Sequence, residues 1–179
     1  VIPVADGLKL LPNTVYIVPP NKDLAILHGT LHLTELTGSR AVRLPINYFF
    51  RSLAQDQREK AICIVLSGMG TDGTLGLRAI KEDLGMAMVQ TPETAKYDSM
   101  PRNAIQTGLA DYVLPPEKMG EHLIEYAKRG TSRVASGDLH KDGEVADAMQ
   151  KIYILLRAQT GHDFSLYKPN TVWRRIERR

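Results

Sequence analysis

The sequence predicts an α/β fold: a doubly wound, mostly parallel sheet with flanking helices and a β-hairpin, forming part of a domain and followed by an α-helical C-terminal segment. Three observations predict it. Short apolar runs alternate with stretches of helical periodicity, the order expected when helices cover both faces of a sheet. Residues 61–66 (AICIVL) are continuously apolar, so a strand there has no wet face. A glycine-rich loop at residues 67–73 follows that run and precedes a helical pattern, the place where doubly wound sheets hold ligands.

The elements follow in order. Residues 14–18 (TVYIV) are β-branched and aromatic, stop at Pro19-Pro20, and read as a strand. Residues 24–27 and 31–34 flank His28-Gly29-Thr30, which reads as a hairpin with Gly in the turn. Ile46, Phe49, Phe50 and Leu53 recur at helical spacing behind Pro45, a favoured first helical residue. The run 61–66 reads as a central strand. Leu77, Ile80 and Leu84 mark one side of the next helix, residues 86–90 a second buried strand, and Met100-Pro101-Arg102 the opening of a short helix. Residues 112–114 form a strand ended by Pro115-Pro116, before a helix carrying Met119, Leu123, Ile124 and Ala127. Residues 130–143 are polar and aperiodic, hence a linker. The expected division is therefore 1–129, a linker, and a helical segment 144–179. In that segment Val145, Ala148, Met149, Ile152, Leu155 and Leu156 fit a helix ending near Gly161. Asn170 is placed to cap another, with Val172, Trp173 and Ile176 on its apolar side.

Composition removes several classes of function. A single cysteine, Cys63, excludes an intramolecular disulfide framework and any multi-cysteine zinc site, and fits a reducing cytoplasm. Mid-strand, it reads as a core thiol. No apolar run is long enough for a helix across a bilayer, so no membrane insertion is expected. His28 and His32 lack a third ligand nearby, and no metal site is expected. His122 reads as solvated, and His140 falls in the linker. The chain begins at Val1 and stops inside a helical pattern at Arg179, so a piece of a longer protein is expected. The net charge of +3 is uneven: residues 1–150 carry 16 Lys and Arg against 18 Asp and Glu, whereas residues 151–179 carry 7 against 2. An acidic partner therefore suits only the C-terminal segment, through Arg174, Arg175, Arg178 and Arg179.

The loop admits two chemistries. Gly68, Gly70 and Gly73 spell G-x-G-x-x-G between a strand and a helix, the dinucleotide fingerprint. Asp72 inside it would repel a pyrophosphate, and the next strand ends in Gln90-Thr91 with no carboxylate for a ribose. The other reading centres on Asp72. A carboxylate just past a buried strand can orient a histidine that serves as base for a serine. The plainer role for Asp72 is to cap the helix starting near Thr74. Ser67 lacks the frame of a nucleophile elbow, so its hydroxyl is expected to bond local backbone.

Residues 66–76, L-S-G-M-G-T-D-G-T-L-G, resemble the signature L-[ST]-G-M-G-x-D-G-x-x-G of chemotaxis protein-glutamate methylesterases of the CheB type. Gln90, Met100-Pro101-Arg102 and Ala104-Ile105 resemble that family's downstream Q…M-P-R-x-A-I stretch, and residues 15–21 its V-Y-[IV]-A-P strand. The likeness runs from about Val1 to Arg129. Residues 161–165 and 167–179 resemble the start of the CheR-type receptor methyltransferase helical domain, and the tandem suggests a methylesterase–methyltransferase hybrid. Two departures from this pattern could alter the rim of the site. Asn47 occupies a place where fused relatives have Asp, and Ser99 one where Gly commonly precedes Met-Pro.

The resemblance implies hydrolysis of glutamyl methyl esters, and deamidation of glutamines, on chemoreceptor methylation helices. Asp72 falls on the family's triad aspartate, with Gly68, Met69, Gly70, Gly73, Met100 and Pro101 forming the site loop and its rim. No G-x-S-[TA]-G-G and no Q-H-x-P occurs in the chain, so the triad's serine and histidine are not in it, and the chain alone is expected to be inactive. No cofactor is implied for the esterase part; S-adenosylmethionine is implied only for methyltransferase sequence beyond this chain. The alternative is a non-catalytic module that binds receptors or a partner through its basic C-terminal helix. No nucleic-acid partner is expected. A half-sheet leaves a strand edge open, and cover by a homodimer, by swapping or by a remnant of the missing segment is expected.

Overall fold

The computed structural model describes residues 1–35, 44–130 and 142–166. Along the chain run β1 (Ile2–Pro3), β2 (Leu8–Lys9), β3 (Tyr16–Ile17), β4 (Lys22–Leu27), β5 (Thr30–Glu35), α1 (Pro45–Gln57) and β6 (Ile62–Val65). There follow α2 (Thr74–Glu82), β7 (Met86–Gln90), α3 (Ser99–Gln106), β8 (Tyr112–Leu114), α4 (Pro116–Gly130) and α5 (Asp142–Thr160). The chain divides into two compact units. One joins Val1–Arg43 to Lys141–Arg179, and the other is Leu44–His140. The units thus cut across the division at residues 130–143 that composition suggests.

The second unit carries the parallel sheet, in the order β6-β7-β8. Side-chain alternation sends residues to two layers. Cys63 and Val65 of β6 and Ala87 and Val89 of β7 join Phe50 and Ala54 of α1, Leu77 and Ile80 of α2 and Ala104 of α3. Ile62, Ile64, Met86, Met88, Tyr112 and Leu114 meet Met119, Leu123 and Tyr126 of α4 on the other face. Helices on both faces make the sheet doubly wound, as the sequence predicts. Lys81 of α2 reaches both oxygens of Asp111, at 2.8 Å each, and Asp111 also accepts the Ala87 N–H.

Several expectations change. The fully buried strand is β7, whereas β6 has no strand on its outer side among the described residues. A continuous apolar run reports that both faces are covered and says nothing about the edges. Leu84 is 77% exposed, not on the α2 face. The helix ends at Glu82, and Leu84 turns left-handed (φ 63°) in a terminal motif closed by Gly85 N–H to Ile80 O. In α4 the inward stripe is Met119, Leu123 and Tyr126, while Ile124 and Ala127 are exposed, rotated off its edge by differing amounts on the same side. His122 is half-buried rather than solvated, its ring 4.9 Å from that of Tyr112.

In the first unit, β4 and β5 pair antiparallel through the register Leu27↔Thr30, leaving a two-residue turn. Both turn residues are left-handed (His28 φ 51°, Gly29 φ 67°), the geometry that matches strand twist in tight hairpins. The strand expected over 14–18 is reduced to β3, which pairs parallel with β1. Helix α5 buries Met149 and Tyr153 beside Ile152 and Phe164, while Leu155 is 64% exposed. Two residues past Tyr153 is a 200° rotation, which turns Leu155 outward.

Candidate functional site

The loop of residues 67–73 leaves the carboxyl end of β6 and is held from three sides. Behind it, Ser67 N–H donates to the Gln90 side-chain oxygen (2.8 Å) at the end of β7. From the segment leading into α3, the Gly68 N–H reaches Tyr97 O (2.9 Å), and Ser67 Oγ accepts the Tyr97 N–H (2.9 Å). Met100 N–H donates to Gly68 O (3.0 Å), Ser99 Oγ accepts the Gly70 N–H (3.0 Å), and the Asn103 amide donates to Gly70 O (2.9 Å). Met100 packs against the core, and Pro101 is fully buried. The Met100 side chain lies against the loop at Gly68.

The third side is Asp72. Its Oδ2 accepts the Ile46 N–H (3.0 Å), and its Oδ1 accepts those of Asn47 (2.9 Å) and Gly73 (2.9 Å). Ile46 and Asn47 lie in the first turn of α1, whose own N-cap residue, Leu44, supplies no side-chain bond. The first amides of a helix lack intrahelical acceptors and carry its positive end. The Asp72 carboxylate supplies both acceptor and charge from across the fold. Asp72 does cap a helix, but the helix is α1. The helix beginning at Thr74 has Gly73 as its N-cap (φ 89°) and no side-chain cap. A carboxylate has about four acceptor positions. Three are filled here, and one on Oδ2 is left among the described residues.

Asn47 is 1% exposed, and its Oδ1 accepts the Gly76 N–H at 2.7 Å. At Ser99, the other departure, the hydroxyl adds a tie to Gly70 that a glycine would lack. Asn103 carried no sequence signal, since it occupies a variable position of the resembled stretch. Met69 is 73% exposed, and its N–H has no partner among the described residues. The amides a pyrophosphate would need are taken instead: Gly68, Gly70, Gly73 and Thr74 all donate within the protein. That argues against dinucleotide binding. Cys63 is buried, and its thiol is pushed up to about 12 by burial first and by nearby Asp111 second. It is a core residue, not a nucleophile. Arg174, Arg175, Arg178 and Arg179, with Asn170, Trp173 and Ile176, lie outside the described residues. Among the described residues no cluster of His, Cys, Asp and Glu could hold a metal ion, and no helix is long and apolar enough to cross a membrane.

The model of the CheB methylesterase family matches residues 1–123. The chain belongs to the CheB methylesterase family. A second model, the all-alpha domain of CheR methyltransferase, matches residues 147–179. The crystal structure of the Thermotoga maritima CheB methylesterase catalytic domain superposes with a TM-score of 0.61 at 32% identity, covering 68% of this chain and 66% of that one. A protein-glutamate methylesterase/protein-glutamine glutaminase of Rhizobium meliloti is 34% identical over 69% of the chain and 35% of its own length. An uncharacterized 104.1 kDa protein of Rhodobacter capsulatus is 35% identical over the whole chain but only 21% of itself. The chain therefore spans about a fifth and about a third of the lengths of these two curated relatives. The Rhodobacter match runs through both the CheB-type and CheR-type segments, as expected of a hybrid.

Proposed function

We propose that this chain supplies the carboxylate arm of a protein-glutamate methylesterase, fused to receptor-methyltransferase sequence. The observation that carries the reading is the seating of Asp72. Three backbone amides fix its orientation at the carboxyl end of β6, and the open position on Oδ2 can accept an imidazole N–H. In the reaction, a serine hydroxyl gives its proton to that imidazole and attacks the ester carbonyl. Methanol leaves with the proton, and water then frees the glutamate carboxylate by the same route. The carboxylate steadies the imidazolium without taking its proton. Attack on a glutamine side chain would release ammonia in place of methanol.

The Met69 N–H is suited to the developing oxyanion. Met100 holds the carbonyl of the Gly68–Met69 peptide. A trans peptide then directs the Met69 N–H the opposite way, away from α3. No cofactor is required for these steps. S-adenosylmethionine would serve only methyltransferase chemistry, for which no described residue is a candidate. A cytoplasmic setting and chemoreceptor methylation helices as substrate complete the proposal.

The test is hydrolysis of a methyl-esterified receptor peptide. The isolated chain is expected to show no turnover, and turnover abolished by Asp72→Ala would overturn that. In a longer parent chain bearing serine and histidine, Asp72→Asn is expected to lower kcat by about 10³- to 10⁴-fold. Unchanged kcat there would refute the role of Asp72.

A further inference from the structure

The CheB-type match contains the β4–β5 hairpin, and the CheR-type match contains most of α5, yet the two elements belong to one compact unit. Their contact is specific. Asp23 on β4 is 4% exposed. Arg157, near the end of α5, donates to Asp23 Oδ2 through Nε at 2.8 Å and also through Nη2. Its Nη1 lies 3.3 Å from Asp163 Oδ2. Two turns earlier on the same helix face, the Gln150 amide, itself 4% exposed, donates to Ile26 O at 2.8 Å. Met149 and Tyr153 are buried on the same helix beside these polar ties. On the strand, residues from Asp23 through Leu27 are all buried, which requires cover on both faces.

Chemistry of this kind selects one arrangement. An apolar helix face alone slides or rotates at little cost. A desolvated guanidinium between two carboxylates, together with an amide aimed at one backbone carbonyl, permits a single register. Removing the arginine would strand Asp23 as a buried charge. We infer that the β4–β5 hairpin is an intramolecular docking site for α5, locked by Asp23–Arg157, so that the methylesterase-type and methyltransferase-type segments fold as one piece there rather than as domains joined by a free linker.

Amide hydrogen exchange of the full 179-residue chain, read by mass spectrometry, tests this. Arg157→Met is expected to speed exchange about tenfold in both the hairpin and α5, while β6 and β7 stay protected. Asp23→Asn combined with Arg157→Met is expected to recover most of that protection, because the stranded charge is gone. Faster exchange in α5 with the hairpin unchanged, or strictly additive effects of the two substitutions, would overturn the lock. Should Arg157→Met unfold the whole chain, Arg157→Lys carries the test, since it keeps the charge and loses the fork. Joint acceleration of hairpin and α5 supports the inference, and unchanged exchange refutes it. The readout involves no catalysis, so its failure would leave the hydrolase reading untouched.

Discussion

Asp72 joins elements 25 and 26 residues apart in sequence through single hydrogen bonds to Asn47 and Ile46. Its capping role can be measured apart from the chemistry proposed for it. Asp72→Ala removes the acceptor for three part-buried amides and is expected to destabilise the chain by about 1–3 kcal/mol in urea denaturation. A loss under about 0.5 kcal/mol would mean that the carboxylate does not cap α1 in solution. Cys63 offers a second check. Its folded pKa is raised from 9.0 to about 12, so the neutral thiol's contribution is fully present below pH 9 and is lost as pH rises toward 12. Wild type is expected to lose stability more steeply than Cys63→Ala across that window, and parallel curves would contradict the burial. The position of Asp72 was legible in the sequence because the loop motif is local. Its partners were not, since a bond across 26 residues depends on the path of the whole chain. Ser67 shows the same limit: bonding to backbone was foreseeable, but the partner, Tyr97, lies 30 residues away.

Among elements, periodicity placed α1, α2, α4 and α5 and picked the inward face of α1, but on α4 and α5 it also took in apolar residues beside that face. Ile124, Ala127 and Leu155 are apolar yet face outward. Apolar residues on both sides of a stripe look alike until the neighbouring element fixes the rotation. Leu84 fails for a different reason, since the helix has already ended. A leucine held left-handed and exposed gains nothing from its side chain, whereas glycine takes that conformation without strain. Leu84→Gly is expected to stabilise the chain by about 0.5–1 kcal/mol, read as a higher urea midpoint. An unchanged or lower midpoint would show that the terminal motif is not strained. The hairpin was the most legible element, because its turn is specified by two adjacent residues.

For the molecule as a whole, alternating strands and helices predicted the doubly wound sheet, and its two-layer core bears this out. Strand order was not legible, because an apolar run carries no information about edges. The outer side of β6 has no strand beside it among the described residues, and such an edge is a template for pairing. The isolated chain is therefore expected to self-associate, with light scattering giving twice the chain mass at micromolar concentration. A monodisperse monomer would refute this.

The contact between α1 and α2 has a consequence for chemistry performed elsewhere. A methyl group at Gly76 would lie 2.5 Å from the Phe50 Cβ and 3.0 Å from the Asn47 Cα, so the helices approach as closely as backbone allows. Any bulk there would push the α1 amino end off the Asp72 oxygens, leaving the carboxylate free to rotate. The aim of the carboxylate proposed to orient the base is thus set by an empty space four residues along the chain.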